Sequence, residues 1–272
     1  TQAGDTIDYR VTLTNPGGVA NQQQNVTAFD ITAQDVLPTD LTLNTGSFVA
    51  ILDPAGSATD ISGLFNVTAT GWTLTGNLDL APGAVVQIDY DATIEAAVRD
   101  GDDLLNEVDI EWTSLDGASA NERGGDGNLN TETPGGGVND YENTANEQIR
   151  VNLTPEYSFT KSVSTSSESF TGVTAGTSPT ITDLVVGETV TFELVATLGR
   201  GTTDSVQIVD QLSIANGLLD ITNVQIQAGA ALSLGSGNPF SSLAISETDN
   251  AGSDGFNDRV AINFGTVIND PA

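Results

Sequence analysis

The 272-residue chain contains no cysteine and no histidine. Without cysteine it has neither a disulfide nor a thiolate metal site. Without histidine it lacks the commonest general base and the nitrogen ligands that zinc and copper prefer. Basic residues are scarce, 7 against 37 acids, for a formal net charge of −30, and Lys161 is the only lysine. A surface of that sign repels nucleic acid and anionic membranes. No apolar run approaches the ~20 residues that span a bilayer, and nothing after Thr1 resembles a signal peptide. The chain opens in mid-pattern, so it is expected to be a segment of something longer.

What is present is strand pattern, written twice. Gly4-Asp-Thr-Ile-Asp-Tyr-Arg-Val-Thr-Leu-Thr-Asn15 returns as Gly187-Glu-Thr-Val-Thr-Phe-Glu-Leu-Val-Ala-Thr-Leu198. Gly4 falls on Gly187, Ile7 on Val190, Tyr9 on Phe192 and Val11 on Leu194. Ile7, Tyr9, Val11 and Leu13 share one face of a two-residue period, the signature of a strand with one side in a core. A self-match at about 180 residues predicts a repeat array. Further on, Asn25 to Pro38 and Leu41 to Leu43 are answered by Ser205 to Leu212 and Leu218 to Ile221, so Asp35 corresponds to Asp210.

Other strands follow in the first copy. Val86, Ile88, Tyr90, Ala92 and Ile94 are expected inward on one strand, and Val108, Ile110 and Trp112 on another. Ile149, Val151 and Leu153 are read as a closing strand. Residues 113–146 break the pattern and are read as an acidic loop rich in Gly, Asn, Asp and Glu. Thr154-Pro-Glu156 is the linker, Tyr157 to Val163 opens the second copy, and Ser164 to Ser178 reads as an inserted loop. These boundaries divide the chain into 1–154 and 155–272. Short alternating strands with Gly, Pro and Asn turns and no helical stretch predict an all-β protein of tandem immunoglobulin-like antiparallel β-sandwiches. The second copy lacks counterparts of the strands at 86–94, 108–112 and 149–153, and the first lacks one of Tyr157–Val163. Both ends are therefore expected to be incomplete sandwiches, completed by adjoining sequence or a neighbouring chain.

Residues 4–17, the Asp35-Val-Leu-Pro38 step, Leu80-Ala-Pro-Gly83 and Leu105-Asn106, in that order, resemble the immunoglobulin-like "conserved repeat" domain of large bacterial surface proteins and adhesins. The resemblance covers most of the first copy and is weaker in the second. It implies an extracellular stalk of tandem sandwiches, often calcium-binding and sometimes cross-linked internally.

Four constellations carry candidate chemistry. Asp249, Asp254, Asn257 and Asp258, with Gly252 and Gly255 between them, supply oxygen donors in a flexible backbone, as a calcium loop requires. The same residues also suit an Asp/Asn/Gly turn whose side chains bond their own backbone. A second acidic group combines Asp126, Asn128, Asn130, Asn139, Asp140 and Glu142 of the long loop with Asp100, Asp102 and Asp103 at a nearby turn. Calcium is the cofactor expected at one of these clusters, against a plain solvated surface.

The third constellation is Lys161 and Asp210. Lys161 shares parity with Tyr157, Phe159 and Val163, and Asp210 shares parity with Val206, Ile208 and Leu212, so both point inward. A buried lysine needs an acid partner. The pair is read either as an ion pair or as part of an isopeptide cross-link to an asparagine, for which Asn263 and Asn269 are poor candidates. The fourth is the pairs of outward carboxylates, Asp89 with Asp91 and Asp109 with Glu111, which water would leave with ordinary acidity. With no G-x-S-x-G and no phosphate loop, catalysis is not expected. Trp72 and Trp112 are read as core, and the Asn25, Asn66 and Asn152 glycosylation patterns as chance matches.

The function expected is a structural spacer in an extracellular repeat protein, with a self-assembling filament or surface-layer subunit as the alternative. Partners would be neighbouring repeats or like protomers, with no nucleic acid and no membrane insertion.

Overall fold

The strand from Val85 to Ile94 anchors the first half of the chain. Val86, Ile88, Tyr90, Ala92 and Ile94 are buried and the residues between them half-exposed, as the two-residue period requires. The computed structural model describes residues 1–16, 26–53, 55–113, 115–117, 140–153, 156–173, 181–212, 219–250 and 255–270. Chain contacts divide them into two units, one of Thr1, Ala3–Val98 and Asp102–Val151, the other of Gln2, Arg99–Gly101 and the residues from Asn152 onward.

Unit one contains β1 (Thr6–Thr14), β2 (Phe29–Val36), β3 (Leu41–Leu43), β4 (Val49–Leu52), β5 (Thr59–Asp60), β6 (Phe65–Thr68), β7 (Gly71–Leu74), β8 (Val85–Ile94), β9 (Asp103–Thr113) and β10 (Asp140–Arg150). They form two antiparallel sheets, β1-β8-β4-β5 with β3 also on β8, and β10-β9-β2-β7-β6. The inner faces meet through Tyr9, Leu13, Val86, Ile88 and Tyr90 from one sheet and Ile31, Ala33, Trp72, Leu74 and Val108 from the other. Tyr9 and Tyr90 face each other across β1 and β8 with ring centroids 5.2 Å apart. Phe48, Phe65 and Trp72 form a second aromatic cluster. Aromatic pairs of this kind contribute about 0.5–1.5 kcal/mol beyond their buried area. Unit one is thus a two-sheet immunoglobulin-like sandwich with a continuous core.

Unit two contains β11 (Ser158–Ser166), β12 (Gly172–Val173), β13 (Ile181–Thr182), β14 (Val190–Thr197), β15 (Gly201–Gln211), β16 (Leu232–Leu234), β17 (Ile245–Thr248) and β18 (Arg259–Asn269). Its pairings are β11–β14, β12–β13 and β15-β18-β16 with β17 on β18, all antiparallel. Ser62–Leu64 and Phe240–Ser242 form short 3-10 turns.

The duplication is visible in backbone geometry as well as in sequence. Gly4 and Gly187 introduce β1 and β14 with φ of 77° and 90°, a left-handed turn that favours glycine. Asp30 and Ser205 sit at matching places in β2 and β15, each five residues before the inward aspartate, with φ of 50° and 57°. Each marks a bulge where the strand slips against its partner. Asp35 then lies opposite Trp72, and Asp210 opposite Val260.

Three expectations are corrected. The acidic loop of 113–146 is shorter at its far end, because residues 140–146 already belong to β10 and pair with β9 in unbroken register. Their polar composition hid a strand whose side chains from Tyr141 onward are largely exposed, where apolar alternation is not required. Trp112 is half-buried and stacks on Tyr141 at 5.7 Å instead of entering the core. Glu111, expected outward, is buried instead at 4% exposure. Burial departs from strict alternation after Val108, although β9 stays in unbroken register with β2 from Asp35–Val108 to Thr32–Glu111, so Glu111 is buried on the face it shares with Thr32.

Candidate functional site

Two inward aspartates at matching positions define the candidate sites. In unit one Asp35 is 1% exposed. The Tyr90 hydroxyl donates to its Oδ2, and Asn106 Nδ2 donates to the same oxygen at 3.2 Å and to the Tyr90 hydroxyl at 2.9 Å. These residues come from β2, β8 and β9, so the cluster ties both sheets together. Trp72 Nε1 lies near the carboxylate but outside hydrogen-bond geometry. Asp35 Oδ1, Asn106 Oδ1 and the Tyr9 hydroxyl are buried without a hydrogen-bond partner.

Electrostatics follow from the burial. Desolvation pushes the Asp35 carboxyl above the ordinary carboxylate range, more than the Tyr90 and Asn106 hydrogen bonds pull it down. Tyr90 is raised far above a normal phenol, by burial first and by the Asp35 charge second. Tyr9 is pushed up to about 12 by burial, with Asp35 adding to the effect.

In unit two the matching aspartate has the partner that Asp35 lacks. Lys161 Nζ, from β11, donates to Asp210 Oδ1 at 2.7 Å and to Oδ2 at 2.9 Å. The two side chains are 23% and 14% exposed, and the ammonium lies 4.6 Å from the centroid of Phe192. Asn263 Oδ1 accepts from the Gly265 N–H and Asn269 Nδ2 donates to the Leu198 carbonyl, so both amides are engaged by backbone. The structure brings Lys161 and Asp210 together as an ion pair beside an aromatic ring.

Among the residues expected to bind metal, Asp249 Oδ2 accepts the Gly255 N–H and Asp258 Oδ1 accepts the Asn250 N–H. The Asn257 N–H is donated to Asp220 Oδ1. These are the bonds of an Asp/Asn/Gly turn. Asp249 Oδ1 is buried and has no hydrogen-bond partner, a feature that suits a cation. Asp100 Oδ1 accepts the Leu153 N–H, the Asp102 carbonyl accepts the Val151 N–H, and Asp103 pairs with Arg150 at 3.4 Å. Asp140 begins β10, while Asp126 and Asp254 lie outside the described residues. Among the described residues no three acidic side chains converge as a metal site.

The outward carboxylate pairs are engaged in ordinary surface contacts. Asp89 is held by Arg10 at 2.7 Å and by Gln87 at 2.7 Å, which keeps its carboxyl below the usual range. Asp91 is raised by partial desolvation and by Asp8 opposite it on β1. Asp109 accepts the Thr144 hydroxyl at 2.9 Å.

Sequence reasoning missed Asn106 and Tyr90 as partners of Asp35. The available signal was parity, since Asn106 shares the face of Val108 and an inward amide needs a polar neighbour.

No family profile matches the chain, and no curated protein sequence matches it. Solved structures do resemble it. The collagen-binding subdomain ACE19 of the Enterococcus faecalis surface protein ACE is 15% identical over 54% of this chain and 88% of its own, with a TM-score of 0.33. The pilus backbone RrgB of Streptococcus pneumoniae is 22% identical over 42% of this chain, with a TM-score of 0.30. The T6 backbone pilin of serotype M6 Streptococcus pyogenes is 12% identical over 97% of this chain, with a TM-score of 0.34. The chain spans 26% of the RrgB structure and 59% of the T6 structure. Among the described residues no helix is long and apolar enough to cross a membrane.

Proposed function

We propose that this chain is a structural spacer from an extracellular repeat protein of the bacterial cell surface, working without catalysis. The observation that carries this reading is the repeated β-unit, with the same left-handed glycine, the same bulge and the same inward aspartate in both copies. Units that repeat in series set a distance, and polar strand faces with 37 acids keep such a repeat protein soluble. Divalent cations at the acidic turns would stiffen it, and the unpartnered Asp249 Oδ1 supports that finer point. Light scattering on the full chain in millimolar calcium tests the reading. A monodisperse solution is expected, and fibres would overturn the spacer.

The filament reading rests on a different observation. Among the described residues β1 pairs on one side only, with β8, which leaves an edge for strand exchange between protomers. Fibre growth in the same experiment would select it.

A further inference from the structure

The open edge of β1 and the unsatisfied oxygens around Asp35 belong to one site. Along β1 and its flanks, Asn15 N–H donates to Ala84, Gly83 N–H donates to Asn15, and Ile94 N–H donates to Asp5. The odd-numbered residues therefore turn their backbone groups toward β8. By the alternation of a strand, Thr6, Asp8, Arg10, Thr12 and Thr14 turn theirs the other way, where the described residues place no strand.

In unit two that edge is filled. Ser167 N–H, just past β11, donates to the carbonyl of Thr189, the counterpart of Thr6. So β11 occupies the side of β14 that corresponds to the open side of β1. Its Lys161 stands opposite Leu194, the counterpart of Val11. From there the ammonium takes both oxygens of Asp210 and lies over Phe192, the counterparts of Asp35 and Tyr9.

Unit one has the receptor without the lysine. Asp35 Oδ1, Asn106 Oδ1 and the Tyr9 hydroxyl are buried acceptor-capable oxygens with no hydrogen-bond partner, around a carboxylate that is 1% exposed. An ammonium has three donors and no acceptor, and an unpaired buried charge is costly. We propose that the open edge of β1 receives an extended strand that carries one inward lysine, which enters opposite Val11 and completes Asp35. The occupant is a strand of the β11 kind on another repeat of this protein. Phe159, Lys161 and Val163 share one face of it, which places the aromatic opposite Leu13, the lysine opposite Val11 and the valine opposite Tyr9. Backbone pairing supplies affinity, and the lysine–aspartate pair fixes the register. The proposal rests on reading unit one as a sandwich completed at its edge, and it adds which residue completes it.

The experiment adds a synthetic peptide of residues 157–166 to the full chain and follows amide hydrogen exchange along β1 by NMR. In the chain alone the amides of Asp8, Arg10 and Thr12 are expected to exchange fast and those of Tyr9 and Val11 slowly. With peptide, the even-numbered amides should slow at least tenfold. A peptide with Lys161→Ala, or a chain with Asp35→Asn, should bind at least tenfold more weakly by calorimetry. The alanine peptide leaves the protein unaltered, so its result is independent of any folding defect. Equal binding of the alanine peptide, or no slowing with the native peptide, overturns the lysine strand while the open edge stands. Slow exchange of the even-numbered amides in the chain alone overturns the open edge itself, and with it the incomplete-sandwich reading.

Discussion

Tyr90 donates its hydroxyl hydrogen to Asp35 across the core of unit one, from the central strand of one sheet to the middle of the other. The contact holds a carboxylate that burial would otherwise expel, and it sets most of what the core will do under mutation or a change of pH.

Tyr90→Phe removes that donor and leaves Asp35 with Asn106 alone. A hydrogen bond to a charged group contributes about 1.5–3 kcal/mol, and its loss leaves a buried acceptor unsatisfied. Urea unfolding at neutral pH should show a drop of that order. Asn106→Leu should cost a comparable amount, since its amide holds both partners.

Asp35→Asn should do the reverse at neutral pH. The folded-state pKa of Asp35 is raised above its unfolded value, so its contribution is fully present below the ordinary carboxylate range. That contribution is lost as pH rises through the folded pKa. The neutral amide removes the loss, along with the repulsion from Asp109 that reinforces it. Stability measured by denaturant between pH 4 and pH 8 should therefore fall less steeply in the variant than in the native chain. Parallel curves would show that Asp35 does not carry a buried charge.

Tyr9 gives the alkaline counterpart. Its hydroxyl has no hydrogen-bond partner, and its pKa is raised from 10.0 to about 12. Stability from this group is complete below pH 10 and is lost as pH rises toward 12, by at most about 2.7 kcal/mol for two units. Tyr9→Phe should be neutral or slightly stabilising at pH 7, and should move the alkaline unfolding midpoint upward. Phenolate absorbance during a pH titration reads both.

Much of this was legible in the sequence, because burial on a strand is local. The alternation from Val86 to Ile94 names its own inward residues, and the inward parity of Lys161 and Asp210 anticipates their meeting. Three things were not legible. Glu111 is buried on the face of β9 that it shares with half-exposed Thr32, so nothing within 103–113 announces that it is covered. Strand β10 is polar because both its faces are largely exposed, and a polar strand gives no alternation signal. The Asp35–Tyr90–Asn106 cluster joins residues from three strands, and side-chain hydrogen bonds between strands depend on how the sheets stack.

Gly71 tests the packing around the same aspartate from the backbone side. It begins β7 with a φ of 137°, and a β-carbon there would stand 1.9 Å from the carbonyl oxygen of Asp35. Backbone cannot move aside as a flexible side chain does, and the conformation is itself strained for an L residue. Gly71→Ala should destabilise unit one by about 3 kcal/mol or more, the sum of typical overpacking and strain costs. A change below about 1 kcal/mol would mean that β7 shifts freely against β2.

Lys161→Met should destabilise unit two by about 1.5–3 kcal/mol, because Asp210 is then left largely buried without its partner. Replacing both residues, as Lys161→Met with Asp210→Leu, should recover most of the loss, since two apolar side chains carry no unpaired charge. Intact mass of the native chain separates the ion pair from a cross-link. The ion pair leaves the mass equal to that of the sequence, whereas an isopeptide bond removes one ammonia.

Calcium is tested by its removal. At millimolar calcium, a site with a dissociation constant near 10 μM adds about 2.7 kcal/mol to the folded state, a large share of typical stabilities of about 5–15 kcal/mol. Chelation should then lower the melting temperature by several degrees, and native mass spectrometry should count the ions lost. The turn at Asp249 offers a local check, because its Oδ1 is buried and unpartnered while Oδ2 holds the Gly255 N–H. Asp249→Asn keeps an acceptor for that N–H but halves what the side chain offers a cation, so the calcium-dependent shift should shrink. If chelation changes neither melting nor mass, the acidic turns hold themselves by their own backbone bonds and the charge serves solubility alone.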